Sequence, residues 1–140
     1  MSSGAARSST PAAVEVVPFE DVHADGIARL CATVQWPSLT DPDVVRRVCT
    51  APGSAAYVAL SGQAVVGWAQ ALGDGVLQSH LSFVAVHPAH RRRGIARLLV
   101  MATFQATHTA RMDLITDSAK EFYESFGHRR MHGFRLYPGA

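Results

Sequence analysis

The sequence predicts an α+β domain in which a mixed, mostly antiparallel central sheet is flanked by about four helices. The run Leu81 to Val86 is apolar at both alternating sets of positions, which is typical of a central strand covered on both faces. After a short basic loop, a helix begins near Ile95 with apolar residues at i, i+3, i+4 and i+7, and we expect it to end near His108. A strand over Arg111 to Ile115 follows. Because a helix joins them, these two strands are expected to be parallel neighbours.

Composition limits the class of protein. The 140 residues are 48% hydrophobic and 17% charged, with a net charge of +2, which fits one compact domain and gives no overall attraction to nucleic acid. We expect residues 1–13, rich in Ser and Ala, to be disordered, and residues 14–140 to form a single domain.

No apolar run is long enough for a membrane span and no hydrophobic signal core is present, so a cytoplasmic protein without a membrane partner is expected. Cys31 and Cys49 occupy apolar helix positions and are interpreted as core thiols in a reducing compartment, the alternative being a redox pair.

Five elements are expected before the central strand. Residues Val14 to Phe19 form a first strand, and helical periodicity begins at Asp21. A short second helix takes Asp41 as its N-cap with a proline in its first turn. Two strands joined by a tight turn follow, over Ala55 to Leu60 and Ala64 to Leu72.

Two elements are expected at the C-terminal end. A helix is predicted with Asp117 or Ser118 as its cap, since Ser118 and Glu121 have the spacing of a capping box. Gly127 should end this helix. The following residues, His128 to Tyr137, are predicted to supply one more strand.

The loop between the central strand and its helix is a candidate anion site. The first turn of a helix carries backbone N–H groups without partners and partial positive charge. Gly94 has no Cβ and Ala96 has only a methyl group, so a phosphate can approach the backbone from Arg92 to Ala96, and the guanidinium groups of Arg91 to Arg93 add charge-assisted contacts. This arrangement can hold a pyrophosphate without a metal. The alternative is a solvated basic loop before an ordinary helix.

The same stretch resembles a known signature. The sequence Val84-Ala85-Val86-His87-Pro88 followed by Arg91-x-x-Gly94-x-Ala96 is similar to the acetyl-CoA signature of the GNAT acetyltransferases, and Leu114 to Gly127 resembles the second conserved element of that family. The resemblance implies a GNAT-like fold with acetyl-CoA as co-substrate, lying between two splayed strands. The last strand common in the family is expected to be absent, so that edge is either completed by a partner or simply shorter. The cofactor-binding residues that the resemblance implies are Val84, Ala85, Val86, Arg91, Arg92, Arg93, Gly94, Ile95, Ala96 and Arg97.

The resemblance also implies catalytic roles. Tyr123 matches the general acid of the family, which protonates the leaving thiolate, although it also belongs to an apolar helical stripe and would serve there as core packing. His80, on the central strand, is the candidate base, with a solvated strand-end histidine as the alternative. Asp74 and Glu15 are weaker candidates. No metal is expected, because neither His87-x-x-His90 nor a second histidine pair near the C-terminus has further ligands to complete a set.

Together these features predict an N-acetyltransferase that moves an acetyl group from acetyl-CoA to a primary amine by direct attack. The acceptor, a small molecule or a peptide, is not identified, but its pocket is expected between the loop Trp36 to Thr40 and the strand residues Trp68 and Gln70. The alternative is a catalytically silent CoA-binding or regulatory domain. A nucleic-acid partner is not favoured, and both a monomer and a homodimer are left open.

Overall fold

The computed structural model describes residues 13–139. Apart from Ala13, the predicted disordered tail therefore lies outside the described residues. The strands are β1 (Val14–Pro18), β2 (Ser54–Ser61), β3 (Ala64–Gly73), β4 (Gln78–Val86) and β5 (Arg111–Asp113). The α-helices are α1 (Ala24–Thr33), α2 (Pro42–Thr50), α3 (Ile95–Thr107) and α4 (Lys120–Glu124), and 3-10 turns occupy Asp21–His23, Pro37–Leu39 and Pro88–His90.

The five strands form one mixed sheet in the order β1-β2-β3-β4-β5. The first four strands pair antiparallel, and β5 pairs parallel to β4. The helix α3 makes the crossover between the two parallel strands, as parallel pairing requires. The predicted fold class is therefore confirmed.

Helices cover both faces of this sheet and create its core. On one face, Ile27 and Cys31 of α1 and Val45 of α2 pack with Trp68 of β3, all of them fully buried. On the other face, Ile95 and Leu99 of α3 are buried against the sheet. Burial on both faces explains why the sequence of β4 is apolar on both alternating sets of positions.

A β-bulge in β4 changes which side chains face which helix layer. Gln70 of β3 pairs with Phe83, whereas the next residue, Ala71, pairs with Leu81, so Ser82 is the extra residue on β4. Leu81 and, beyond the bulge, Val84 pack on the α3 side. Because side chains alternate along a strand, His80 next to Leu81 lies on the face that carries α1 and α2.

Local sequence signals fix several helix ends as predicted. The Asp41 carboxylate accepts a hydrogen bond from the Asp43 N–H (2.9 Å) at the start of α2. The α3 helix is preceded by Gly94 with φ +77° and followed by His108 in the left-handed region. Cys31 and Cys49 are buried free thiols, as the core interpretation expects. Their burial raises the pKa of Cys31 to about 11 and that of Cys49 to about 12.

The start of α4 differs from the prediction. Neither Asp117 nor Ser118 caps this helix, and the Ser118 to Glu121 capping box does not form, because the N-cap residue is Ala119. The Ala119 N–H instead donates to the Thr116 hydroxyl at 3.0 Å. Because Ala119 is the N-cap, α4 begins at Lys120, ends at Glu124 and makes a little over one turn.

The predicted strand over residues 128–137 is wrong. These residues form no strand, and residues 127–139 are all exposed. In addition, β5 ends at Asp113, two residues before the predicted end at Ile115. A strand needs a hydrogen-bonded neighbour, and the short β5 offers little edge for this segment to pair with. In the part of the chain that the structure describes, no helix is long and apolar enough to cross a membrane.

Candidate active site

The parallel strands β4 and β5 are joined at one end only. Pairing links Gln78 with Arg111, Ser79 with Met112 and His80 with Asp113, and there β5 stops. The rest of β4, Leu81–Val86, continues without a neighbour on that side among the described strands. Its outward backbone N–H and C=O groups are therefore available to a ligand, as the splayed strands of the expected fold require.

Hydroxyl groups hold the closed end of this opening. The Thr109 hydroxyl donates to the Ser79 hydroxyl (3.0 Å), which in turn donates to the Arg111 carbonyl (3.2 Å). Thr107, on the last turn of α3, shares a hydrogen bond of 2.7 Å with Thr109. The end of α3 and the starts of β4 and β5 are thus tied together by four residues.

A cavity of about 370 Å³ lies at the first turn of α3. Gly94 has φ +77°, which favours glycine, and a Cβ added there would have no atom within 4 Å. The space in front of the Gly94 backbone is therefore open. The lining residues are Val86, His90, Arg91, Arg92, Gly94, Ile95, Ala96, Arg97, Phe122 and Ser125.

This cavity has the electrostatics of an anion site. The Leu98 N–H is the first of α3 to bond back along the helix, to the Gly94 carbonyl at 3.2 Å, so the N–H groups of Ile95, Ala96 and Arg97 precede the hydrogen-bonded turns. Partial positive charge of the helix dipole collects at the same place. Arg91 connects the basic loop to β4, because its Nε donates to the Val86 carbonyl at 3.2 Å.

Two of the predicted arginines differ from the others in position. The guanidinium of Arg97 donates to the Ser125 carbonyl (3.0 Å) and hydroxyl (3.2 Å) and lies 4.0 Å over the Phe126 ring. Its side chain thus ties α3 to the end of α4. Arg93 is exposed and is not among the residues that line the cavity.

Tyr123 lies where α4 packs on the α3 side of the sheet. It joins the apolar cluster of Leu81 and Val100, and its ring contacts Phe122 edge to face, with centroids 4.9 Å apart. Burial raises the pKa of the phenol. Among residues 13–139 the phenol has no hydrogen-bond partner, so both the packing and the acid interpretations fit its position.

His80 lines a second cavity, of about 490 Å³, on the opposite face of β4. It is exposed, pairs with Leu72 of β3 and has Asp113 of β5 beside it in the parallel register. Asp74 also lines this cavity. Its carboxylate accepts hydrogen bonds from the N–H groups of Val76, Leu77 and Gln78, and these hydrogen bonds lower the pKa of Asp74. Asp74 is therefore a turn anchor and a poor base. Glu15 lies on β1, three strands away.

Of the residues expected to form the acceptor pocket, Trp68 and Gln70 are buried in the core and Trp36 is half-buried against it, whereas Pro37, Ser38 and Thr40 are exposed. Trp36 and Trp68 both contact Phe83, with ring centroids 5.9 and 5.4 Å away. Gln70 is buried, and its amide nitrogen donates to the Ser54 hydroxyl at 3.0 Å. The open cavity on this face lies further along the sheet, at His80.

Sequence reasoning missed several residues that line the two cavities, among them three at the first cavity and Asp113 at the second. His90 precedes the basic loop, and Phe122 and Ser125 lie in and after α4. Asp113 reaches the second cavity only because β5 pairs in register with β4. His90 lies between the two parts of the signature, whereas the others depend on contacts between elements that are distant in sequence.

His87, the first histidine of the basic loop, has a structural role. His87 Nδ1 accepts a hydrogen bond from the Ala89 N–H (3.1 Å) and caps the 3-10 turn Pro88–His90. Within residues 13–139, no three His, Cys, Asp or Glu side chains are grouped as metal ligands.

Comparison with known proteins agrees with this architecture. Solved structures of similar fold include an acetyltransferase of Trypanosoma brucei, 18% identical, with a TM-score of 0.73 over 89% of this chain and 99% of that one. The aminoglycoside N-acetyltransferase AAC(6')-Iy, solved with CoA, is 17% identical, with a TM-score of 0.74 over 92% and 96% of the two chains. A ribosomal-protein-alanine N-acetyltransferase of Brucella melitensis is also 17% identical, with a TM-score of 0.69 over 89% and 98%. At these identities the likeness concerns the fold.

Sequence comparison defines the family. No curated protein sequence gives a significant match. The family model described as the acetyltransferase (GNAT) domain, however, matches residues 52–130, which is more than half of the chain and includes β2, β3, β4, α3, β5 and α4. The chain therefore belongs to the GNAT acetyltransferase family.

Proposed function

We propose that this protein is an acetyl-CoA-dependent N-acetyltransferase that acts on a primary amine by direct attack. The proposal rests on the opening between β4 and β5. This opening ends at Val86, which also lines the cavity at the first turn of α3, where an anion can be held. A cofactor with a diphosphate at one end and a thioester at the other matches both parts.

The residues around the opening fit such a cofactor. The N–H groups of Ile95 and Ala96 and the nearby Arg91 and Arg92 would hold the diphosphate, with Gly94 leaving room for it. Outward backbone groups of Val84 and Val86 would hold amide groups of the pantetheine arm, whereas those of Ala85 face Trp68 of β3. Each hydrogen bond to a charged group contributes roughly 1.5 to 3 kcal/mol, so a few of them suffice for binding without a metal.

In the proposed reaction, the amine nitrogen forms a bond to the thioester carbonyl carbon and the carbon–sulfur bond breaks. Tyr123 would donate a proton to the leaving thiolate. A phenol carries that proton at neutral pH, as a general acid must, although burial raises its pKa and so makes the proton harder to release. The amine needs a proton acceptor, because an alkyl amine with a pKa near 10.4 is neutral in only roughly one molecule per few thousand at pH 7.

His80 is the proposed acceptor of the amine proton, directly or through water. It lies exposed in the second cavity on the face opposite the Tyr123 cluster, so an amine can approach it from solvent. Asp113 and Asp74 line the same cavity, which contains no Lys or Arg. These charges favour an acceptor that enters as a cation.

The test combines binding and turnover on the purified full-length chain. We expect calorimetry to detect binding of CoA and acetyl-CoA, and free thiol to appear when acetyl-CoA is mixed with a panel of primary amines. Tyr123→Phe should lower kcat by roughly 100-fold or more while CoA still binds. Tyr57→Phe, which also removes the hydroxyl of a half-buried tyrosine, is the control and should leave kcat unchanged.

His80 is tested by substitution. His80→Gln should lower kcat/KM without weakening CoA binding. Absence of CoA binding would refute the proposal as a whole. Binding of CoA without thiol release from any amine would instead identify a silent CoA-binding domain.

A further inference from the structure

The side chain of Arg97 connects the first turn of α3 to the end of α4. Its Nη2 nitrogen donates to both the Ser125 carbonyl (3.0 Å) and the Ser125 hydroxyl (3.2 Å). The guanidinium carbon also lies 4.0 Å from the centre of the Phe126 ring, a distance at which a cation is attracted to the face of the ring. One side chain therefore makes three interactions with the two residues that directly follow α4.

The helix α4 depends on such contacts for its position. It has only five residues, its N-cap makes no side-chain hydrogen bond, and none of its residues is fully buried. A helix this short is not stable by itself, so neighbouring elements must hold it in place. Its last carbonyls carry partial negative charge, which the guanidinium of Arg97 stabilises.

The two residues that Arg97 contacts are also in contact with Tyr123 and its neighbour. The Phe126 N–H donates to the Tyr123 carbonyl at 3.1 Å, and the two rings stack at an angle of 28° with centroids 6.4 Å apart. The Ser125 hydroxyl donates to the Phe122 carbonyl (2.5 Å), and the Phe122 ring contacts the Tyr123 ring edge to face. Because the Tyr123 hydroxyl has no hydrogen-bond partner among residues 13–139, ring packing and backbone contacts fix its direction.

The direction of that hydroxyl decides whether it can serve in the proposed reaction. A proton donor must come within hydrogen-bond distance of the leaving sulfur, and a displacement of about 1 Å can lower a rate about 100-fold. Arg97 directly follows Ala96, whose N–H is proposed to hold the diphosphate, and it lines the same cavity as Ser125. A single side chain thus sets the position of α4 relative to the part of α3 that would hold the cofactor.

A direct contact with the phosphates is the other role open to this arginine. Its guanidinium, however, is engaged with Ser125 and Phe126. Arg91 and Arg92 line the same cavity from the basic loop. The anion site therefore has other cations, and the geometry favours a role of Arg97 toward α4.

We propose that Arg97 is a positioning residue, which holds Tyr123 in place through Ser125 and Phe126 and so directs the phenol toward the place of the thioester sulfur. This inference rests on the proposed acetyl transfer. Arg97 itself transfers no proton.

The variant Arg97→Gln separates turnover from binding. We expect kcat to fall roughly 10- to 100-fold, while the Kd for CoA measured by calorimetry stays close to that of the parent. Arg97→Lys keeps a cation near the Phe126 ring and a donor for the carbonyl, so it should retain most of the kcat that Arg97→Gln loses. Arg47→Gln, at an exposed arginine of α2 on the other face of the sheet, is the matched control and should leave both quantities unchanged.

A double-mutant cycle tests whether Arg97 acts through Tyr123. The phenol is absent in Tyr123→Phe, so adding Arg97→Gln to that variant should lower kcat no further. An equal loss of kcat with and without the phenol would overturn the proposal. A raised Kd for CoA with unchanged kcat would overturn it in favour of a direct phosphate contact.

NMR of ring-labelled tyrosine gives a test that needs no turnover. The Tyr123 signal is identified by its loss in Tyr123→Phe, and its chemical shift depends on the neighbouring Phe122 and Phe126 rings. This signal should move in Arg97→Gln, whereas the Tyr57 signal stays in place. A Tyr123 signal that does not move would overturn the inference even in an active acetyltransferase. A signal that moves in a protein that releases no thiol would support the contact between Arg97 and α4 and refute only the acetyl transfer.

Discussion

Replacing Gly94 with alanine tests the proposed anion site with a single methyl group. Gly94 has φ +77° and open space in front of its Cα, so Gly94→Ala strains the backbone without striking another part of the protein. The methyl group would instead enter the cavity at the first turn of α3. We therefore expect two separate effects, one on folding and one on binding.

The sizes of these effects follow from the geometry. A residue with a Cβ in the left-handed region costs roughly 1 to 2 kcal/mol of folding free energy relative to glycine. A methyl group that holds a phosphate away from one N–H removes one charge-assisted hydrogen bond, or roughly 1.5 to 3 kcal/mol. That loss corresponds to an increase of roughly 10- to 150-fold in the Kd for CoA.

Gly75→Ala separates the two effects. Gly75 has φ +76° and nothing within 4 Å of an added Cβ, but it lies in the β3–β4 turn. Urea unfolding should show a similar loss of stability for both variants, and calorimetry should show weaker CoA binding only for Gly94→Ala. If both variants bind CoA as tightly as the parent, the first turn of α3 does not hold the diphosphate and the reasoning is refuted.

Three further predictions concern stability. The buried thiols have pKa values raised from 9.0 to about 11 (Cys31) and about 12 (Cys49), so the unfolded chain loses these protons first. The free energy of unfolding should therefore fall as the pH rises above 9, and Cys49→Ala should flatten that dependence in urea titrations. Asp74→Ala removes the acceptor of three N–H groups and should lower the melting temperature, whereas Asp74→Asn keeps an oxygen there. Because those bonds lower the Asp74 pKa, their stabilisation is present above pH 3.8 and is lost as the pH falls through the folded-state pKa, a loss that Asp74→Asn should not show in acid melts. Gly67→Ala should cost roughly 1 to 3 kcal/mol in urea unfolding, because its Cβ would lie 2.9 Å from Leu99 and 3.1 Å from the Ala59 Cβ in a closed core.

Those parts of the fold that depend on local chemistry could be predicted from sequence. Asp41 caps α2 through its own side chain, and Gly94 allows the left-handed turn into α3. The apolar run of β4 indicated a strand covered on both faces. The bulge at Ser82 was not predictable from alternation, because it is defined only by the partner strand β3.

The remaining errors have the same origin. His128 to Tyr137 has the composition of a strand, but the sheet edge next to it is the three-residue β5, which is too short to pair with it. For the site, the pattern around Gly94 predicted most of the residues that line the cavity at the first turn of α3, yet the Arg97 side chain turns to Ser125 because α4 ends there. Trp68 became core instead of pocket wall because α1 and α2 close over it.

The hydroxyl links among Thr107, Thr109, Ser79 and Arg111 have a kinetic consequence. These hydrogen bonds join only groups of the protein itself and hold β4 and β5 together at one end. The gap between the two strands beyond that end is therefore open before a cofactor binds. Capture of CoA then requires no prior rearrangement of the strands. Its observed association rate should rise in proportion to CoA concentration without reaching a plateau.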